Sequence, residues 1–296
     1  MMLKNDGEKI VTRQKEGELI MLVTCFLESF FPIVSIFTIQ LIGSLFSYAI
    51  TILIATILFF ALLLYRKELY TLKNKEAQSD LLWTTFYITL LFLLIFISLR
   101  YTTAGNVAVI LFLQLLFSYI YFNLFGSEKI ETIHAIGAFI MGVGAIVLLW
   151  PKNFDFNIGN LLALIASALG PIANFYQKRA REKVSAITIL TYRNIVALPV
   201  LFLMAFVFES VPAQEALEKA MPYLLFNAVV IYVIAKIFWI EALRRISITK
   251  MSALLAFSPI FTLIFSHYLL SEELGIKQFV CMGIIIFGSF LLVKKV

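Results

Sequence analysis

The chain has 296 residues, of which 61% are apolar and only 14% charged, with a mean hydropathy of +0.96. Soluble globular domains carry roughly 45–50% apolar and about 25% charged residues, so a water-soluble core is excluded and a bilayer is the expected solvent. The net charge of +6 comes from short basic clusters between apolar blocks, with no basic stripe along one face, which argues against nucleic acid as a partner.

The first eighteen residues are polar and form an expected N-terminal tail, 1–18, with no cleavable leader. A span needs roughly 20 apolar residues. On that measure the chain predicts about ten, near 19–39, 44–65, 81–99, 104–124, 133–150, 158–176, 188–208, 222–243, 248–270 and 275–293. The joins 3–4, 4–5, 8–9 and 9–10 are short, which makes those helices antiparallel neighbours; Gly105 and Asn106 lie near one join, and Pro151 follows the fifth helix. Of the 24 Lys and Arg, 18 fall on the side of the N-terminus and four (Arg100, Lys152, Lys219 and Lys277) on the opposite side, while Arg193 and Lys236 lie inside spans. Positive charge stays inside, so both termini are expected to be cytoplasmic, in the inner membrane.

A repeat runs through this pattern. Residues 99–128 align with 243–272 at a constant offset of 144, with Leu99, Arg100, Leu111, Phe117, Ile120, Ser127 and Glu128 matching Leu243, Arg244, Leu255, Phe261, Ile264, Ser271 and Glu272. Phe31-Pro32-Ile33 in the first span is echoed by Gly170-Pro171-Ile172 in the sixth. The unit is five helices, so the second copy enters from the opposite side. The expected fold is therefore all-α and integral to the membrane, two inverted five-helix repeats over 19–150 and 158–293. Inverted repeats place a solute site near the midplane between the halves.

Ala242-Leu243, the run from Ala253 through Ser258-Pro259-Ile260, and Ser271-Glu272-Glu273 resemble the ten-helix EamA type of the drug/metabolite transporter superfamily. Ser98-Leu99, the block from Leu111 to Phe117, and Gly126-Ser127-Glu128 repeat the pattern in the first half. Gly137, Gly142 and Gly144 in one copy, with Gly283 and Gly288 in the other, are similar to the family's Gly-rich fifth helix and are expected to allow close packing. Leu115 stands where the second half has Pro259, and Arg193 takes the place of an arginine common in the family's second helix. The resemblance implies export or exchange of amino acids and other metabolites.

Glu28 is the most informative polar residue, near the middle of the first span among Phe26, Leu27, Phe30 and Phe31. A charge at that depth costs roughly 2.5–3.5 kcal/mol on insertion scales, so it needs a wet cavity or a partner, and it is a candidate for proton coupling. Lys236, in the eighth span, is its natural counterpart. The two could form an empty-state pair that an amino-acid zwitterion replaces, or Lys236 could snorkel to the interface. Glu241, one turn on, is expected at the cytoplasmic end near Arg244 and Arg245. Gln114, Asn174, Tyr176, Ser258 and Asn227 are candidate neutral hydrogen-bonding groups, and Pro32, Pro171 and Pro259 are candidate kinks lining the cavity. Each of these has an interhelical packing alternative. Trp83, Trp150 and Trp239 suit interfacial anchoring, and Arg193 is placed to snorkel inward. Cys25 and Cys281 have neither disulfide nor metal spacing, and His134 and His267 lie near span ends.

Neither a GxxxxGK[ST] loop nor a soluble domain to hold one is present, so energy must come from a gradient or from exchange. The reading is a secondary transporter without enzyme activity or cofactor, acting on a small-molecule substrate as a monomer or homodimer. A lipid flippase and a non-transporting scaffold remain as alternatives.

Overall fold

The computed structural model describes residues 2–124, 132–149, 157–246, 251, 254–255, 257–273 and 275–293. Gly126, Ser127, Glu128, Trp150, Pro151, Lys152, Ala253 and Ala256 lie outside them, as does the His134 side chain. All regular structure among the described residues is helical. Seven segments are long and apolar enough to cross a membrane, at 14–42, 44–65, 78–98, 104–121, 158–183, 186–208 and 214–245. Three shorter apolar helices, at 135–144, 257–270 and 276–291, fall where the fifth, ninth and tenth spans are expected.

The first span is two helices. Helix α1 (Met2–Glu28) begins well ahead of the apolar run, so the polar tail is helical, where the sequence suggested only a tail. Gly17 lets it approach the far end of the eighth span, because a Cβ there would sit 2.7 Å from Arg245 Cβ. The helix stops at Ser29–Phe30, since Pro32 has no N–H for the Glu28 carbonyl, and α2 (Phe31–Ile42) restarts with that proline in its first turn. Gly43, at φ +82°, turns the chain into α3 (Ser44–Tyr65).

After a 3-10 turn at Leu69–Lys73 comes α4 (Gln78–Ser98), then a fourth span made of α5 (Ala104–Phe112) and α6 (Gln114–Leu124). Its interruption at Leu113 needs no proline: Leu113 N–H bonds Ile110 O at 3.0 Å, a tight turn inside the span. Helix α7 (Thr132–Leu149) closes the first half. The second half opens with α8 (Ile158–Lys183), which runs unbroken through Pro171, and α9 (Ala186–Phe208). The eighth span joins α10 (Gln214–Phe226), a π-helical stretch at Asn227–Ala235 and α11 (Lys236–Arg245). Helices α12 (Phe257–Leu270) and α13 (Ile276–Val293) complete the described chain.

Packing follows a two-fold pattern. Helix α1 lies on α11 as α4 lies on α8, while α3 pairs with α9, α5 with α12 and α7 with α13. The α3–α9 pair carries the inversion in its end contacts. Ser44 Oγ donates to Glu209 Oε1 at 3.0 Å at one end, and Ser185 Oγ donates to Glu68 Oε2 at 2.7 Å at the other. Both serines and both glutamates are separated by 141 residues, so the same contact is made twice, once at each end of an antiparallel pair. Glu209 also accepts from the N–H groups of Ser44, Leu45 and Phe46 at 2.9–3.1 Å, taking the free donors of the α3 N-terminus.

Helices α7 and α13 meet at Gly288, where a Cβ would stand 2.7 Å from Gly137 O and 2.9 Å from Met141 N. Gly144 packs against Ile285 in the same seam. Gly142 and Gly283, expected in that set, have open space around them and take no part in the close approach.

Candidate functional site

A cavity of about 120 Å³ lies where the broken spans meet. It is comparable with the roughly 150 Å³ engineered pocket that accepts benzene, so it has room for a small organic group. Both halves line it: Glu28, Pro32, Phe92 and Gln114 from the first, Asn174, Arg193, Lys236, Trp239, Ser258 and Pro259 from the second.

The helix breaks account for its position. Ser258 N–H bonds Leu255 O at 2.9 Å, which releases Leu254 O, and Cys25 Sγ donates to that carbonyl at 3.3 Å. Thr262 Oγ1 donates to Ser29 O at 2.9 Å, the carbonyl exposed where α1 ends. The interruptions of the first and ninth spans therefore satisfy one another. Irregular backbone at membrane depth is tolerated where protein or a cavity receives it.

Glu28 is the last residue of α1 and Lys236 the first after the π-helical stretch, so both charges project from the ends of interruptions. Lys236 Nζ donates to Glu28 Oε1 at 2.5 Å, with the two side chains 11% and 15% exposed. The ammonium also lies 5.0 Å from the Phe92 ring centroid and 5.3 Å from that of Trp239, a favourable position over aromatic faces. Trp239 Nε1 donates to Asn174 Oδ1 at 3.3 Å, which fixes the indole as one wall. Lys236 thus pairs in the interior and does not reach for the interface.

Of the other candidates, Gln114, Asn174, Ser258, Pro32 and Pro259 line the cavity. Gln114 fits against Gly170, where a Cβ would be 2.5 Å from its Oε1. Tyr176 and Pro171 lie outside the lining, and Tyr176 stacks on Trp83 and Tyr87, with centroids 5.9 and 6.0 Å away. Asn227 is buried and donates to Ser35 Oγ at 3.2 Å, a contact between α2 and the π-helical stretch. Glu241 receives Arg181 at 2.6 Å and Arg245 at 2.7 Å, a network at the end of α11. His267 Nδ1 lies 3.0 Å from Glu272 O.

Two expectations are overturned. Trp239 is a buried wall of the cavity with no anchoring position at the interface. Arg193, expected to snorkel, is 3% exposed and lines the cavity. Helix α9 packs against α3 and α4, and Arg193 lies on its buried side. Gln177, also in the lining, was not singled out by the sequence. A glutamine three residues after Asn174, one helical turn along the same face, is the signal that could have found it.

Two stretches, residues 15–150 and 157–294, match the EamA-like transporter family. The chain belongs to that family. It is 24% identical over 196 residues to the "Uncharacterized transporter YoaV" of Bacillus subtilis, a match covering 63% of this chain and 67% of that protein. It is 22% identical over 211 residues to the "Uncharacterized transporter sll1164" of Synechocystis sp., covering 67% of this chain and 60% of that one. A solved structure described only as "Crystal structure of protein" superposes with a TM-score of 0.71 at 14% identity, over 94% of this chain and 97% of its own, and shows the same fold. This EamA-type chain is accordingly a multi-pass membrane transporter for a small-molecule substrate.

Proposed function

We propose that this transporter is a secondary active carrier that exports or exchanges small metabolites, amino acids or related solutes, by alternating access around the central cavity. The observation that carries the reading is the Glu28–Lys236 pair, set between two interrupted spans in the wall of a cavity lined by both halves. A buried pair is a costly feature that well-packed hydrophobic residues often replace without loss of stability, so its presence in the cavity wall favours a working role. An entering zwitterion replaces the pair with two matched contacts, its ammonium on Glu28 and its carboxylate on the cationic side chains of the lining. Opening of the pair frees α1 and α11 to move apart, and the inverted halves give each face of the membrane an equivalent closed shape.

Glu28 is the proton-coupling candidate, since protonation would release Lys236 without any solute. The placement of basic residues supports cytoplasmic termini and insertion in the inner membrane. The test is loss of solutes from proteoliposomes loaded with a pooled metabolite mixture, read by mass spectrometry with and without a pH gradient. Selective, protein-dependent loss of amino acids or related solutes supports the carrier. Verified folded protein that releases none of them refutes it.

A further inference from the structure

Among the described residues, Arg193 has no ion-pair partner. Its side chain lines the cavity at 3% exposure, and its Nη2 has no hydrogen-bond partner. Among the described residues, its Nε donates a long hydrogen bond to Asn194 Oδ1 at 3.4 Å. Among the described residues no carboxylate lies within ion-pair distance of it, and the carboxylate in the same cavity, Glu28, is already taken by Lys236. The described lining therefore carries two cations and one anion.

A guanidinium withdrawn from water has a large desolvation cost, and fixed neutral dipoles offset only part of it. Its planar fork is the side chain best shaped for a carboxylate, through paired N–H donors. A second group in the lining is also unpartnered: Gln177 Oε1, on a side chain 2% exposed. That oxygen accepts a hydrogen bond, so it suits a hydroxyl or ammonium on the same solute. The cavity wall thus holds a guanidinium and a carboxamide, each with a buried polar atom that no protein group satisfies.

We propose that Arg193 is the anchor for a free carboxylate on the transported solute, with Gln177 receiving its neighbouring hydroxyl or ammonium. The inference rests on the carrier reading and deepens it. Carboxylate becomes the required group, while the Glu28–Lys236 pair decides how a zwitterion and a monoanion differ. A monoanion neutralises the site with the pair closed, and a zwitterion must draw on Glu28 as well.

The experiment uses the full chain in proteoliposomes loaded with matched solutes on three side chains. The set is alanine, leucine and phenylalanine, the hydroxy acids lactate, leucate and phenyllactate, and the amides alaninamide, leucinamide and phenylalaninamide. Loss through protein-free liposomes is subtracted. The expected result is release of one or more carboxylates at least tenfold faster than the matched amide. Arg193→Gln removes that preference, and Arg193→Lys, which keeps the charge without the fork, restores part of it. Faster loss from the hydroxy-acid arm identifies a monoanion carrier, and from the amino-acid arm a zwitterion carrier; either supports the anchor.

Release of amides at the rate of the carboxylates leaves the carrier standing and overturns the anchor. So does an Arg193→Gln protein, folded and reconstituted to equal amount, that keeps the wild-type preference. No release in any arm refutes the carrier reading, and the anchor falls with it. Should neither variant fold, the carboxylate-to-amide ratio of the Glu28→Gln/Lys236→Gln protein decides: a ratio that stays above one supports the anchor, and equal release overturns it.

Discussion

Removal of the Glu28 carboxylate by Glu28→Gln separates the binding role of the pair from its structural one. The substitution keeps the shape and leaves the Lys236 ammonium, 9% exposed, without its partner at 2.5 Å. Two unit charges about 4 Å apart at an effective dielectric of about 20 attract by about 4 kcal/mol. Breaking a buried pair from one side costs about 3–5 kcal/mol. The cavity wall and the residual exposure of both side chains place this case at the lower end, so a loss of about 3 kcal/mol is expected. At about 2–4 °C per kcal/mol, the unfolding midpoint of the purified protein falls by roughly 6–12 °C. Lys236→Gln gives a similar fall by stranding Glu28. The double substitution Glu28→Gln/Lys236→Gln recovers most of the stability, because no buried charge of the pair is left alone. Transport behaves otherwise: both singles and the double lose flux at least tenfold, and none responds to a pH gradient. Thermal unfolding and proteoliposome flux on the same four preparations make the comparison. A double variant that transports as wild type, or one no more stable than the singles, refutes the reasoning.

Three further outcomes follow from the packing. Gly288→Ala drives a methyl to within 2.7 Å of Gly137 O and should destabilise by about 1–3 kcal/mol, whereas Gly283→Ala, in open space, should stay within about 0.5 kcal/mol; thermal unfolding distinguishes them. Glu209→Gln weakens the tie to three N–H groups and Ser44 Oγ at the start of α3 and breaks the 3.3 Å pair with Arg100, for an expected loss of about 1–3 kcal/mol by the same measurement. Thr262→Val, close in shape, removes the bond to Ser29 O that joins two span interruptions; it should cost about 1 kcal/mol in stability and slow flux, read on reconstituted protein.

The fold was legible because its determinants are periodic or additive. Apolar run length gives spans wherever a helix must satisfy its own backbone in lipid, and an odd repeat unit gives the inversion without reference to any contact. Pro32 marked the break in the first span for the same reason, since a missing N–H is a local fact. The break at Leu113 has no such mark. Neither Leu113 nor Leu115 removes a donor, and the helices on either side of the tight turn both pack on α8, a contact the sequence does not display. The π-helical stretch is likewise silent, for Asn227–Ala235 contains no proline or glycine to mark it.

The site divides along the same line. Glu28 and Lys236 stood out because a charge inside an apolar run is anomalous wherever it points. Arg193 carried the same anomaly, but a long flexible stem offers an escape to the interface, and only the packing of α9 against α3 and α4 shows Arg193 on its buried side. Trp239 was misplaced for a related reason, as an amphipathic ring is equally at home at an interface and over a buried ammonium. Pro171 shows the converse, a strong local signal with no consequence for the cavity: α8 keeps its helix through it while the matching Pro32 ends one. The two copies of the repeat have kept the same positions and divided the work, the first span supplying the break and the carboxylate, the sixth a straight wall with Asn174 and Gln177. A carrier built from equivalent halves needs such a division, because a site made of two identical faces could not distinguish one end of a solute from the other.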